Sequence, residues 1–165
     1  MDKLTLLKPI VESKARKLLE EAKKKGIVLI VTSSLRTFAE QDALYAQGRT
    51  KPGNIVTNAK AGQSWHNWAC AFDVVALKNG SPDWNCDWSE IGKLGESVGL
   101  EWGGRWVRFV DRPHFQYTAG YSLADFQRGK IEESKFDTSQ STKLKETIRE
   151  LIEKLATLIK SKKRV

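Results

Sequence analysis

Apolar side chains recur at intervals near 3.6 residues in the first segment of the chain: Ile10, Val11, Ala15, Leu18, Leu19 and Ala22, with Lys and Glu between them. This periodicity predicts an amphipathic helix within residues 3–25, stopped by Gly26. The pattern then changes to an uninterrupted run rich in β-branched residues, Ile27, Val28, Leu29, Ile30 and Val31, which reads as a buried strand. A second helix is expected beyond Ser33-Ser34-Leu35-Arg36, because Thr37 and Glu40 have the spacing of a capping box.

Residues 48–64 lose all periodicity and are rich in Gly, Asn, Thr, Lys and Ala, so they predict a long loop of the kind that is usually functional or mobile. A second strand is expected over 71–77, with Asn79-Gly80 as a hairpin or loop signal. A third helix is predicted over 88–98, capped by Ser89 and stopped by Gly99. Two strand-like pieces, 106–110 and 114–117, flank Asp111-Arg112-Pro113. These elements predict an α+β fold: a small antiparallel sheet with packed helices and a functional centre at the sheet edge.

After Gly129 the composition shifts. Residues 130–142 are polar and read as a linker, whereas Leu144, Ile148, Leu151, Leu155 and Leu158 form the narrow seam of a basic amphipathic helix over 143–165. The expected organisation is therefore a catalytic domain over 1–129, a linker and that helix. Three uses of the helix stay open: packing or self-association through its seam, contact with an anionic envelope through the Lys160 to Arg164 cluster, or a solubilising tail.

Composition narrows the class. The chain has 165 residues, 40% hydrophobic and 29% charged, which suits one folded domain and argues against wholesale disorder. A net charge of +8 favours an anionic partner. No nucleic-acid-binding signature accompanies it, and a bacterial envelope is equally negative, so nucleic acid is not expected as a partner. The two cysteines, Cys70 and Cys86, do not make a disulfide scaffold; two free thiols or a single bond both fit. The beginning of the sequence lacks the apolar core and cleavage site of a signal peptide, and no stretch of about 18 apolar residues occurs. The chain is expected to be made soluble in the cytoplasm and to be a monomer.

Against this background the histidines stand out, because there are only two. His66 precedes the second strand, Asp73 lies within it, and Asp111 precedes His114 by three residues with Pro113 between them. Two imidazoles and one carboxylate would leave zinc an open position for water, as catalytic rather than structural sites do. Asp111 could then take a proton from the attacking water and return it to the leaving amine. Spacing alone also fits two hydrogen-bonded structural histidines, and both readings stay open on these residues.

The segment from Ser64 to Asp73, Ser-Trp-His-Asn-Trp-Ala-Cys-Ala-Phe-Asp, resembles the SxHxxGxAxD motif of the LAS/VanY-like zinc peptidases, the M15 family. Residues 102–116 are similar to the WGG…DxPHF motif of that family, and residues 33–50 to its SxxRTxxEQxxLYxQGRT motif. Within the family, the resemblance is to phage endolysins of the L-alanyl-D-glutamate peptidase type and their cellular counterparts. It implies the hedgehog/DD-peptidase-like zinc peptidase fold, Zn2+ held by His66, Asp73 and His114, Asp111 as general base, and Arg36 stabilising the oxyanion. Ser64 and Gln41 are the implied substrate contacts, and Trp65, which flanks His66, is read from its position either as core packing or as a substrate-contacting wall of the peptide groove.

The implied reaction is hydrolysis of the L-alanyl-D-glutamate bond of the peptidoglycan stem peptide by a zinc-bound water, the protein reaching the wall through a membrane pore. The alternatives are a D-alanyl-D-alanine carboxypeptidase or dipeptidase, and an inactive wall-binding module that keeps its metal. Two departures from the motifs stand out. Ala69 occupies a position that is usually Gly, which would cost about 1 kcal/mol if the backbone there is left-handed. Arg105 occupies a position that is commonly acidic.

Overall fold

A computed structural model describes residues 2–138, 147–148 and 151–152. The first amphipathic segment divides in two: a 3-10 turn, Lys3–Leu6, and helix α1, Pro9–Lys24. Pro9 occupies the first helical turn, where its missing N–H costs nothing and its fixed φ suits the helix. Gly26 follows with φ 77°, the left-handed conformation that ends a helix most cheaply in glycine. The buried stripe of α1 is Val11, Ala15, Leu18 and Ala22, and it faces strand β1 (Val28–Ser33) and helix α3 (Trp88–Ser97).

Helix α2 (Phe38–Ala46) carries the anticipated capping box: the Thr37 hydroxyl accepts from the Glu40 N–H, and the Glu40 carboxylate accepts from the Thr37 N–H. The long loop leads to a 3-10 turn, Trp65–Trp68, and strand β2 (Ala71–Lys78). Asn79 and Gly80 both have positive φ, as a two-residue hairpin turn requires, and connect β2 to β3 (Ser81–Asp83). Strands β4 (Glu101–Trp102) and β5 (His114–Gln116) complete the sheet, and helix α4 (Leu123–Gln127) follows. The strand order is β1-β2-β5-β4 with β3 beside β2, and every pair is antiparallel.

The register of β2 against β5 decides where the chemistry sits. Phe72 lies opposite Phe115 and Asp73 lies opposite His114. Because successive side chains on a strand point to opposite faces, the two phenylalanines share one face and the aspartate–histidine pair the other. The phenyl rings stack at 5.9 Å in the core, where helix α3 lies directly on the sheet. Gly92 and Gly95 permit that approach, since a Cβ on either would come within 2.2 Å of the Trp102 or Phe115 ring.

Several expectations are corrected. Residues 106–110 form an irregular loop after a 3-10 turn, Gly103–Arg105, and contain no strand. Asp87, not Ser89, caps α3, its carboxylate accepting from the Glu90 N–H. The Asp73–His114 pair sits on the two middle strands, not at the sheet edge. The stretch beginning at residue 130 is not simply a linker: the turn Glu133–Phe136 brings Phe136 into the core beside Tyr117, Tyr121 and Phe126. Most of the expected helix over 143–165 lies outside the described residues; 147–148 and 151–152 are helical. Cys70 and Cys86 are both free thiols. No helix among the described residues is long and apolar enough to cross a membrane.

Candidate active site

His66, Asp73 and His114 arrive from three separate pieces of chain and converge on one point. The turn Trp65–Trp68 delivers His66, β2 delivers Asp73, and the first residue of β5 delivers His114. The 66 turn is closed by Ala69 at φ 58°, so the strain anticipated for an alanine here is present. It is fastened to the β1–α2 connection by four bonds: the Arg36 N–H donates to the His66 carbonyl at 3.1 Å, His66 Nδ1 donates to the Ser34 carbonyl at 2.7 Å, and the Asn67 amide donates to the Arg36 carbonyl at 2.9 Å and the Thr37 carbonyl at 3.3 Å. Because a carbonyl only accepts, the bond to Ser34 places the ring proton on Nδ1 and leaves Nε2 with a free lone pair.

His66 Nε2 lies 3.2 Å from His114 Nδ1, His114 Nδ1 lies 3.2 Å from Asp73 Oδ1, and Asp73 Oδ1 lies 3.3 Å from His66 Nε2. These three atoms form a nearly equilateral triangle. Zinc bonds of about 2.0–2.1 Å in tetrahedral geometry imply donor–donor edges of about 3.3–3.4 Å, so the triangle matches one face of such a site. Two imidazole nitrogens and a carboxylate oxygen are also the donor chemistry that zinc takes. The residues present therefore fit the metal.

Electrostatics sharpen the picture. Burial works against the Asp73 carboxylate, but the His114 and His66 rings that face it prevail and hold its pKa well below the ordinary value. At His114 burial again opposes the charged form, and the Asp73 carboxylate outweighs it to raise the pKa. Asp111 behaves in the opposite way, because burial pushes its carboxyl above the ordinary range. Its backbone is tied in place on both sides: the Asp111 N–H donates to Gly103 O at 3.1 Å, and the His114 N–H donates to Asp111 O at 3.3 Å.

The triangle opens into a cleft of about 590 Å³ whose lining includes Arg36, Ser64, Trp65, Trp106, Asp111 and His114. Of the anticipated substrate contacts, Ser64 and Trp65 reach this cleft. Gln41 does not: it is fully buried beneath the cleft. Its amide oxygen accepts from Arg36 Nη1 at 2.8 Å, and its amide nitrogen donates to the Ala59 carbonyl at 2.7 Å. Gln41 thus ties the arginine to the long loop over 48–64 and is not available to substrate. Arg36 is held a second time, by Nη2 donating to the Ser33 hydroxyl at 3.2 Å. Arg105 pairs with Glu96 on the surface and does not line the cleft.

Two residues given no role from the sequence also touch the site. Trp106 packs against the His114 ring at a centroid distance of 5.1 Å, and Gln116 accepts from His114 Nε2 at 3.0 Å. The signal for Gln116 was its spacing, since residues two apart on a strand share a face. Trp106 carried no such signal, because it reaches the site from an irregular loop.

The family model described as D-alanyl-D-alanine carboxypeptidase, of the M15 peptidases, matches residues 57–117. The peptidoglycan L-alanyl-D-glutamate endopeptidase CwlK of Bacillus subtilis is 44% identical over 121 residues, spanning 67% of this chain and 72% of that protein. The chain belongs to the M15 peptidase family. The L-alanyl-D-glutamate peptidase of Listeria phage A118 is 33% identical over 120 residues, covering 70% of this M15 peptidase and only 40% of the phage protein. Among solved structures, the Serratia marcescens L-Ala D-Glu endopeptidase ChiX aligns with TM-score 0.55 and 25% identity, over 70% of this chain and 84% of that one. The vancomycin-resistance D,D-pentapeptidase VanY, solved with Zn(II), aligns with TM-score 0.52 and 17% identity over 76% of this chain and 80% of its own, which establishes the shared fold.

Proposed function

We propose that this M15 peptidase is a zinc-dependent endopeptidase that cleaves the L-alanyl-D-glutamate bond of peptidoglycan stem peptides. The observation that carries the chemistry is the triangle of His66 Nε2, His114 Nδ1 and Asp73 Oδ1, opening into a cleft that Asp111 and Arg36 also line. The bond specificity is supported by the names of the B. subtilis, Listeria phage and S. marcescens proteins to which the chain is similar.

Held by those three atoms, a zinc ion would supply a Lewis acid that polarises a carbonyl and makes water a better nucleophile at neutral pH. The remaining work falls to side chains. Asp111 takes the proton of the attacking water and delivers it to the departing amine, a role suited to a carboxyl whose burial raises its basicity. Arg36 donates to the developing oxyanion; only two of its five N–H groups need be committed to Gln41 and Ser33. Ser64 and Trp65 position the peptide along the wall of the cleft.

The test is digestion of purified peptidoglycan by the full chain, followed by identification of the new termini. New amino-terminal glutamate is expected. Released D-alanine would instead establish the carboxypeptidase reading that the family model's description suggests. Wall binding and zinc retention with no new terminus would make the protein a binding module.

A further inference from the structure

The polar face of the sheet continues beyond the triangle. Asp73, His114, Gln116 and Glu101 come from three adjacent strands, β2, β5 and β4, with Asp73 opposite His114 and Gln116 opposite Glu101. Gln116 is buried, and its amide oxygen accepts from His114 Nε2 at 3.0 Å. Its amide nitrogen donates to Glu101 Oε2 at 2.9 Å, while the Thr118 hydroxyl donates to Glu101 Oε1 at 3.1 Å. A carboxylate can only accept, so Glu101 draws the NH2 group of Gln116 toward itself and turns the amide oxygen toward the imidazole. An amide oxygen can only accept, so the proton of that ring nitrogen stays on Nε2. The other nitrogen, Nδ1, is left facing Asp73 Oδ1 and His66 Nε2.

We infer that Gln116, aligned by Glu101, is the positioning residue that fixes His114 to present Nδ1 to the metal. The inference rests on the zinc reading proposed above. His66 obtains the same service from the Ser34 carbonyl, so one ring is oriented by main chain and the other by a side chain. Only the second can be altered by substitution without rebuilding the backbone. Such outer partners typically contribute 10–100-fold in metal affinity.

The experiment measures zinc affinity of the full-length chain by competition with a chelator for four proteins: the parent, Gln116→Leu, Gln116→Glu and the double exchange Gln116→Glu with Glu101→Gln. The Leu variant keeps the volume and removes the acceptor, and it should lose about 10–100-fold in affinity. The double exchange restores an acceptor toward His114 and a donor–acceptor pair across β4 and β5, and it should bind within about threefold of the parent. The chain has only two histidines, so a ¹⁵N imidazole spectrum of each zinc-loaded protein reports directly whether His114 keeps its Nε2 proton and ligates through Nδ1. Parent-like zinc affinity in the Leu variant with a raised KM would overturn the inference and make Gln116 a substrate contact. A double exchange as weak as the Leu variant would overturn it too. If the Leu variant does not fold, the comparison of the single with the double exchange decides. A parent chain that binds no zinc sinks the proposed function itself, which is distinguishable because the variants are then not compared.

Discussion

Gly103 and Asp111 touch through their backbones: the Asp111 N–H donates to the Gly103 carbonyl at 3.1 Å, and a Cβ built on Gly103 would stand 2.5 Å from the Asp111 carbonyl oxygen. The same Cβ would come within 3.1 Å of His114 Cβ. The obstruction is main chain, which cannot swing aside as a flexible side chain would. Gly103→Ala must therefore push the segment carrying Asp111 and His114 outward. A displacement of roughly 1 Å at a reacting group costs on the order of 100-fold in turnover, so kcat should fall by about that factor while the far core is untouched. Steady-state kinetics on soluble stem peptide would show it, and an unchanged kcat would mean that the loop absorbs the methyl elsewhere.

Asp111→Asn separates chemistry from binding. Loss of the proton acceptor should lower cleavage by about 10²–10⁴-fold while zinc stays bound. Burial also raises the Asp111 pKa above its ordinary 3.8, so the folded protein binds that proton more tightly than the unfolded chain. The stability this contributes is fully present below about pH 4 and is lost as pH rises through the raised value, where the buried charge becomes a cost. The metal-free Asn variant should accordingly unfold at a higher temperature than the parent at neutral pH, with the difference vanishing in acid. Thermal melts at the two pH values check the sign; a variant less stable than the parent at pH 7 contradicts it.

The parts of the fold written in short-range patterns were legible beforehand. The stripe of α1, the capping box at Thr37 and Glu40, the Asn79-Gly80 turn and the β2 run all depend on neighbours within a few residues. The polar convergence of His66, Asp73 and His114 was legible in part because histidine is so scarce here. What escaped depends on tertiary packing. Residues 106–110 are rich in the aromatic and β-branched residues of a strand but find no ladder partner and stay irregular. Phe136 sits in a polar stretch that reads as linker, yet the aromatic cluster of Tyr117, Tyr121 and Phe126 supplies it with a burial site. Gln41 matched a motif position, and the motif could not say whether its amide faces substrate or, as found, holds Arg36 from below.

Chelation tests the metal reading through stability as well as rate. Cleavage should disappear on zinc removal and return with added zinc. A ligand that binds only the folded state stabilises it by about 2.7 kcal/mol at a free concentration 100 times Kd, so zinc should raise the unfolding midpoint in a concentration-dependent way. His66→Ala removes one corner of the triangle and should abolish that rise. A zinc-dependent midpoint that survives in the alanine variant would place the ion elsewhere.

Ala69 offers a prediction of the opposite sign, a gain of stability next to the site. It closes the Trp65–Trp68 turn at φ 58°, where a Cβ crowds the following carbonyl and costs about 1 kcal/mol relative to glycine. The conformation is enforced from both sides. The Ala69 carbonyl accepts from the Lys8 N–H at 2.9 Å, and the Cys70 N–H donates to the Trp65 carbonyl at 3.1 Å, so the turn cannot relax without releasing α1 or β2. Ala69→Gly should therefore raise stability by about 0.5–1 kcal/mol, the relief of strain being partly offset by the greater freedom of glycine in the unfolded chain. His66 would keep its place, because its bonds to Ser34 and Arg36 do not involve the alanine side chain. Zinc affinity and kcat should consequently stay at parent values while the denaturation midpoint rises. A midpoint that falls would show that the unfolded-state entropy of glycine outweighs the strain at this turn.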